Sequence, residues 1–137
     1  MKKVYFACSI KGGGDKSDIP KIAKLIRRHA QIISEAFLED IYKPEGSPLP
    51  KEQIWRRDLD WIEAADLMIA DVSNPSLGVG YEIAKAEEWG KPILCIYKKQ
   101  DRNLSAMISG SSSISVVEYQ SPEDLDQAIK NFGSRLL

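Results

Sequence analysis

Short apolar runs alternate along the chain with stretches in which apolar residues return every three or four positions. Val4 to Ile10 is an apolar run that breaks into Lys11-Gly12-Gly13-Gly14, which predicts a buried strand opening into a loop. Asp18 then caps a predicted helix with Ile19, Ile22, Ala23 and Ile26 at helical spacing and Arg27, Arg28 and His29 in its last turn. Gln31 to Phe37 predicts a second, weaker strand, and Lys43 to Pro50 reads as a loop from its proline and glycine content. A helix over 51–64, a strand over 66–72, a helix over 79–89, a strand over 91–97, a short helical piece over 104–108 and a strand over 114–119 follow. Ser121-Pro122-Glu123-Asp124 opens the last helix, with a cap residue, proline at the first position and acids in the first turn.

Strands that alternate with helices predict an α/β fold, one parallel sheet covered on both faces and connected by right-handed crossovers. The simplest arrangement is a doubly wound, Rossmann-like sheet of five strands in the flavodoxin-like order 2-1-3-4-5, forming a single domain over residues 1–137. Such sheets bind ligands outside the carboxyl ends of the strands, where the strand order reverses. The loops after the first and third strands are therefore the expected place of function.

Composition narrows the chemistry. The 137 residues are 43% hydrophobic and 28% charged, and a chain of this length buries roughly 68% of its unfolded surface. Nineteen lysines and arginines stand against 20 aspartates and glutamates, a net charge of -1, so nothing in the balance favours nucleic acid or an anionic membrane. No apolar run reaches the ~20 residues of a membrane span, and the first ten residues lack the pattern of a signal peptide, so a cytoplasmic protein is expected. Cys8 and Cys95 lie in apolar segments without the close spacing of zinc or redox sites. His29, the only histidine, is expected to cap helix carbonyls. No metal or redox cofactor is called for.

Three segments carry candidate chemistry. Ser9-Ile10-Lys11-Gly12-Gly13-Gly14 lets backbone approach a ligand beside a positive charge, but lacks the closing Gly-Lys-Ser/Thr of a Walker A loop. A plain flexible connection has the same composition. Ser76-Leu-Gly-Val-Gly-Tyr-Glu82 has the Gly-x-Gly of a dinucleotide fingerprint at Gly78 and Gly80, but Ile83 breaks the pattern and the segment does not follow the first strand. A glycine-rich turn into a helix N-terminus remains, which favours an anion such as phosphate. Glu82 then falls in or near the first turn, where the helix dipole favours the ionised form expected of a nucleophile at a sugar carbon. A surface glutamate that stabilises the helix fits the same position. In the 51–64 helix, Asp58 shares a stripe with Ile54, Trp61, Ile62 and Ala65. Burial there raises a carboxyl pKa, which suits a general acid, unless an ion pair with a nearby Lys or Arg accounts for it. Leu104-Ser-Ala-Met-Ile108 reads as a surface turn with a docking helix or as part of a subunit interface.

Taken together, YFACSIKGG, RRDLDWIEAAD, ADVSNPSLGVGYE, KPILCIY and LSAMI resemble the 2'-deoxynucleoside 5'-monophosphate N-glycosidases of the nucleoside 2-deoxyribosyltransferase superfamily, over about residues 3–110. The resemblance implies a homodimer with shared active sites that splits a small-molecule deoxynucleotide into free base and 2-deoxyribose 5-phosphate. It makes Glu82 the nucleophile, gives Asp58 acid–base work and sugar positioning, and puts Tyr5 in the active site. Cys8, Ser9, Ile10, Lys11, Gly12 and Gly13, with Ser76 and Gly78, would surround the substrate and its 5'-phosphate. Ser105, Ala106 and Met107 would reach the partner subunit's site. Three positions depart from the family pattern: Lys11 stands where Arg is common, Cys8 where Gly is common and Ala36 where a family member carries His. They bear on base preference. A deoxyribosyltransferase that passes the sugar to a second base, and a nucleotide sensor without catalysis, are the alternatives.

Overall fold

The computed structural model describes residues 1–9, 18–43, 45–98 and 104–136. Among these residues β1 (Lys3–Ala7), β2 (Gln31–Ile32), β3 (Leu67–Asp71), β4 (Ile93–Lys98) and β5 (Ile114–Tyr119) make one parallel sheet in the order β2-β1-β3-β4-β5. The helices are α1 (Asp18–Arg27), α2 (Glu35–Asp40), α3 (Lys51–Ala64), α4 (Leu77–Glu88), α5 (Ala106–Ser109) and α6 (Pro122–Ser134). The strand order is the one expected, with its reversal between β1 and β3.

Alternation along the strands feeds two separate cores. Val4, Phe6, Ile69, Leu94 and Ile96 face α1, α2 and α6, where Ile22, Ile26, Leu38, Leu125 and Ile129 close over them. Tyr5, Ala7, Met68, Ala70, Ile93 and Cys95 face α3 and α4, against Leu59, Ile62, Val79, Ile83 and Ala86. In register, Ala7 pairs with Ala70 and Ala70 with Cys95. A row of small side chains thus crosses the second face toward the carboxyl ends of the strands.

Local chemistry sets the element ends. Ser121 Oγ accepts from the Asp124 amide at 3.1 Å, the cap read from the sequence. Lys91 Nζ donates to the carbonyls of Glu63 at 2.6 Å and Ala65 at 2.9 Å and so closes the C-terminal end of α3. The expected strand over Gln31–Phe37 is corrected to a two-residue strand followed by α2. The reason is Ser34, fully buried, whose hydroxyl accepts from the Phe6 amide at 3.2 Å where a strand carbonyl would otherwise sit. Its carbonyl then accepts from Phe37 and begins the helix. His29 does not cap α1, which ends at Arg27: its Nε2 lies 2.9 Å from Asp126 Oδ1 on α6, tying the end of α1 to α6. No helix among the described residues is long and apolar enough to cross a membrane.

Candidate active site

Helix α4 begins two residues before the expected Val79, because Ser76 takes the cap position and its Oγ accepts from the Val79 amide at 3.2 Å. The loop before it is pinned by Asp71, whose Oδ1 accepts from the Ser73 amide at 2.8 Å. Gly78 and Gly80 are therefore helical, not part of a turn. Neither has a positive φ, and a Cβ at Gly78 would meet only Ser76 Oγ at 3.9 Å, one at Gly80 nothing within 4 Å. Each glycine costs the helix about 1 kcal/mol relative to alanine. Nothing inside the described chain requires them, so the space they leave faces outward.

The early start of α4 puts Glu82 in the second turn, pointing toward β1 and α3. Tyr5, buried in the middle of β1, donates its hydroxyl to Glu82 Oε2. Trp61 of α3 packs beside Tyr5, ring centroids 6.5 Å apart and planes at 44°. Arg57 lies over Trp61 at 4.6 Å and donates to Asp58 Oδ1 at 3.0 Å. One strand and two helices thus bring Tyr5, Asp58 and Glu82 to one place.

Electrostatics distinguish the three. Burial pushes the Glu82 carboxyl up from 4.5 to about 7, the Tyr5 hydrogen bond pulling it down and the Asp58 charge adding to the rise. The expected dipole stabilisation of ionised Glu82 does not prevail: the dipole acts within the first turn, Glu82 lies beyond it, and burial acts in full. Asp58 is also raised, chiefly by burial, with Arg57 opposing. Both readings of Asp58 hold together, since it is largely out of water and ion-paired. Burial, with the charges of Glu82 and Asp58, holds the Tyr5 phenol protonated far above its usual range. Tyr5 is therefore a donor and Glu82 titrates near neutrality.

The other candidate residues lie around this cluster or apart from it. Cys8 is buried in the core of the opposite face, and Ser9 is partly exposed. Ile10, Lys11, Gly12 and Gly13 lie outside the described residues. Ser76, with Ser105, Met107, Leu77, Gly80 and Ile83, lines a cavity of about 670 Å³ between α4 and α5 that Tyr5, Asp58 and Glu82 do not line. Ser105 caps α5, accepting from the Met107 amide at 3.2 Å, and Ala106 and Met107 are exposed. Ser105 and Met107 thus share a cavity with Ser76 and Ile83. Sequence reasoning missed Arg57 and Asp40, which are joined at 3.2 Å. The sequence allowed an ion pair of Asp58 with a nearby Lys or Arg, but neighbouring residues on a helix do not normally face each other, so Arg57 was not singled out.

The model of the nucleoside 2-deoxyribosyltransferase family matches residues 4–133. The chain belongs to this family. Among relatives of the deoxyribosyltransferase-like chain, a mouse (Mus musculus) 5-hydroxymethyl-dUMP N-hydrolase is 41% identical over 113 residues, 80% of this chain and 65% of the mouse protein. The chain thus spans just under two thirds of that relative's length. A 5-hydroxymethyl-dUMP N-hydrolase of Tetraodon nigroviridis is 34% identical over 96% of this chain and 97% of its own. The fold matches that of a CMP N-glycosidase of Clostridium botulinum with a TM-score of 0.67 at 19% identity, covering 96% of this chain and 99% of that one.

Proposed function

We propose that the chain hydrolyses the N-glycosidic bond of 2'-deoxynucleoside 5'-monophosphates to free base and 2-deoxyribose 5-phosphate. The observation that carries this reading is the Tyr5–Glu82 hydrogen bond beside Asp58, two carboxyls in distinct environments on one buried wall. Ionised Glu82 attacks C1': a C1'–O bond forms as the C1'–N bond breaks, and the departing base takes a proton from Asp58. Water then attacks C1', gives a proton to Asp58, and the bond to Glu82 breaks, restoring both carboxyls. Tyr5 orients the nucleophile. A sugar without a 2'-hydroxyl reaches the oxocarbenium-like state more readily, which favours deoxynucleotides.

Ser76 and Gly78 at the start of α4 bind the 5'-phosphate in this reading, and Cys8 through Gly13 contribute further substrate contacts. The outward space at Gly78 and the cap at Ser76 support it. The enzyme is a cytoplasmic homodimer in which Ser105, Ala106 and Met107 complete the partner's site. Their exposure supports that assignment. The relatives named N-hydrolases support the reaction class.

A second reading, transfer of the deoxyribosyl group to another base, is favoured by the family model. Incubation with deoxynucleoside monophosphates and a second free base, followed by chromatography, separates them. Base release without a new nucleotide is expected; a new nucleotide makes the chain a transferase, and nucleotide binding without base release makes it a sensor.

A further inference from the structure

Arg57 ties together groups from two helices. Its Nε donates to Asp58 Oδ1 at 3.0 Å, its Nη1 to Asp40 Oδ2 at 3.2 Å, and its guanidinium stands 4.6 Å from the centre of the Trp61 ring. The other oxygen of Asp40 takes Lys43 Nζ at 3.0 Å. Alternating charges therefore run from Lys43 through Asp40 and Arg57 to Asp58. The side chains of Arg57, Asp58 and Asp40 are only 18%, 15% and 13% exposed, against 55% for Lys43. Three of the four members are largely out of water, where charges act on one another with little screening.

Adjacent residues on a helix point in different directions, so Arg57 must fold back along α3 to meet Asp58. An arginine free to move has no reason to stay there, since water solvates it and its rotamers carry entropy. The second grip on Asp40 and the seat on Trp61 supply that reason. We infer that Arg57 is a positioning residue: held by Asp40 of α2 and seated on Trp61, it aims the Asp58 carboxyl at the place where Tyr5 and Glu82 meet.

The inference rests on the reading of Asp58 as the acid and base of the proposed hydrolysis. Among the described residues the charged and titratable groups that face Asp58 are Arg57 beside it, Asp40 from α2, and Tyr5 and Glu82 from β1 and α4, while Lys43 bonds Asp40. Burial raises Asp58, Arg57 opposes the rise, and Asp40 adds to it. With the arginine removed, Asp58 stays protonated to higher pH and turns freely. Its proton transfers to the departing base and from the attacking water both lose their aim, so turnover falls more than substrate binding does.

The test is Arg57→Gln, Arg57→Lys and Asp40→Asn, read in two ways. Carboxyl-carbon NMR titration of Asp58 needs no turnover. The midpoint is expected to rise by about one pH unit in Arg57→Gln, as loss of a nearby opposite charge implies, and to rise less in Arg57→Lys; Asp40→Asn, which leaves the arginine but removes its anchor, is read by its loss of kcat. Base release from deoxynucleoside monophosphates is expected to lose kcat by roughly tenfold to a hundredfold in Arg57→Gln with KM near wild type. Lysine, which keeps the charge but not the fork, recovers part of it. A midpoint in Arg57→Gln equal to wild type overturns the inference. So does an Asp40→Asn variant whose kcat equals wild type, since Arg57 would then need no anchor on α2 to aim Asp58. A wild-type chain that releases no base overturns the functional reading instead, and the titrations still decide whether Arg57 governs Asp58.

Discussion

The two faces of the sheet are built from the same strands and do different work. On the α1–α6 face the strands contribute Val4, Phe6, Ile69, Leu94 and Ile96, and amphipathic helices close the core completely. On the α3–α4 face the neighbouring positions carry Tyr5, Ala7, Met68, Ala70 and Cys95. The row Ala7–Ala70–Cys95 leaves room on that side, and a phenol and two carboxyls gather in the space above it. Burial stabilises the first face. On the second an apolar core also forms, but burial of Glu82 and Asp58 costs stability there, because both are held above their ordinary pKa values. Small strand residues and buried acids together distinguish a working face from a supporting one.

The strongest way to break this comparison is Glu82→Gln, which keeps the size and the acceptor for Tyr5. Base release is expected to fall by on the order of 10⁴ or more, as for loss of other enzyme nucleophiles, while nucleotide binding measured by calorimetry persists. On the other face, Phe6→Ala is expected to lower unfolding free energy by about 3–5 kcal/mol in a denaturant titration, as cavity formation in a closed core does. KM of the fraction still folded should stay near wild type. A changed KM would show that the closed face reaches the site after all.

Tyr5→Phe separates orientation from burial. Loss of a hydrogen bond to a charged group is worth about 1.5–3 kcal/mol, so kcat/KM should drop roughly tenfold to a hundredfold. Because the Tyr5 bond lowers the Glu82 pKa, the acid side of the pH–rate profile, near pH 7 in the wild type, should move upward in the variant. Unchanged kinetics would remove Tyr5 from the site.

The smallest expected effect concerns stability. Glu82 has a folded pKa of about 7 against 4.5 unfolded, so between these values the folded state holds the extra proton. Its relative stabilisation is full below about pH 4.5 and is lost as pH rises through about 7. Glu82→Gln carries no such penalty and is expected to melt a few degrees above wild type at pH 8, with the gap closing at pH 5. A gap that is equal at both pH values would mean that Glu82 is solvated.

The topology was legible because each element announces its own period. Apolar runs at β1, β3, β4 and β5, the helix over 51–64, and the Ser121-Pro122 cap depend on neighbours close in sequence. The segment at Gln31–Phe37 was misread because the buried hydroxyl of Ser34 bonds Phe6, 28 positions earlier in the chain. Glu82 and Asp58 stood out in the sequence, one beside glycines and the other inside an apolar stripe. Arg57 and Asp40 did not, since their pairing needs α2 folded against α3.

The sequence by itself therefore determined the parallel sheet, its strand order and the family, because hydrophobic period and local motifs act over short separations. Only the tertiary structure decided the ionisation of Glu82, the donor role of Tyr5 and the clamp of Arg57 on Asp58. These depend on how far each group is removed from water and on what distant residue faces it, and neither is encoded in any short stretch of the chain.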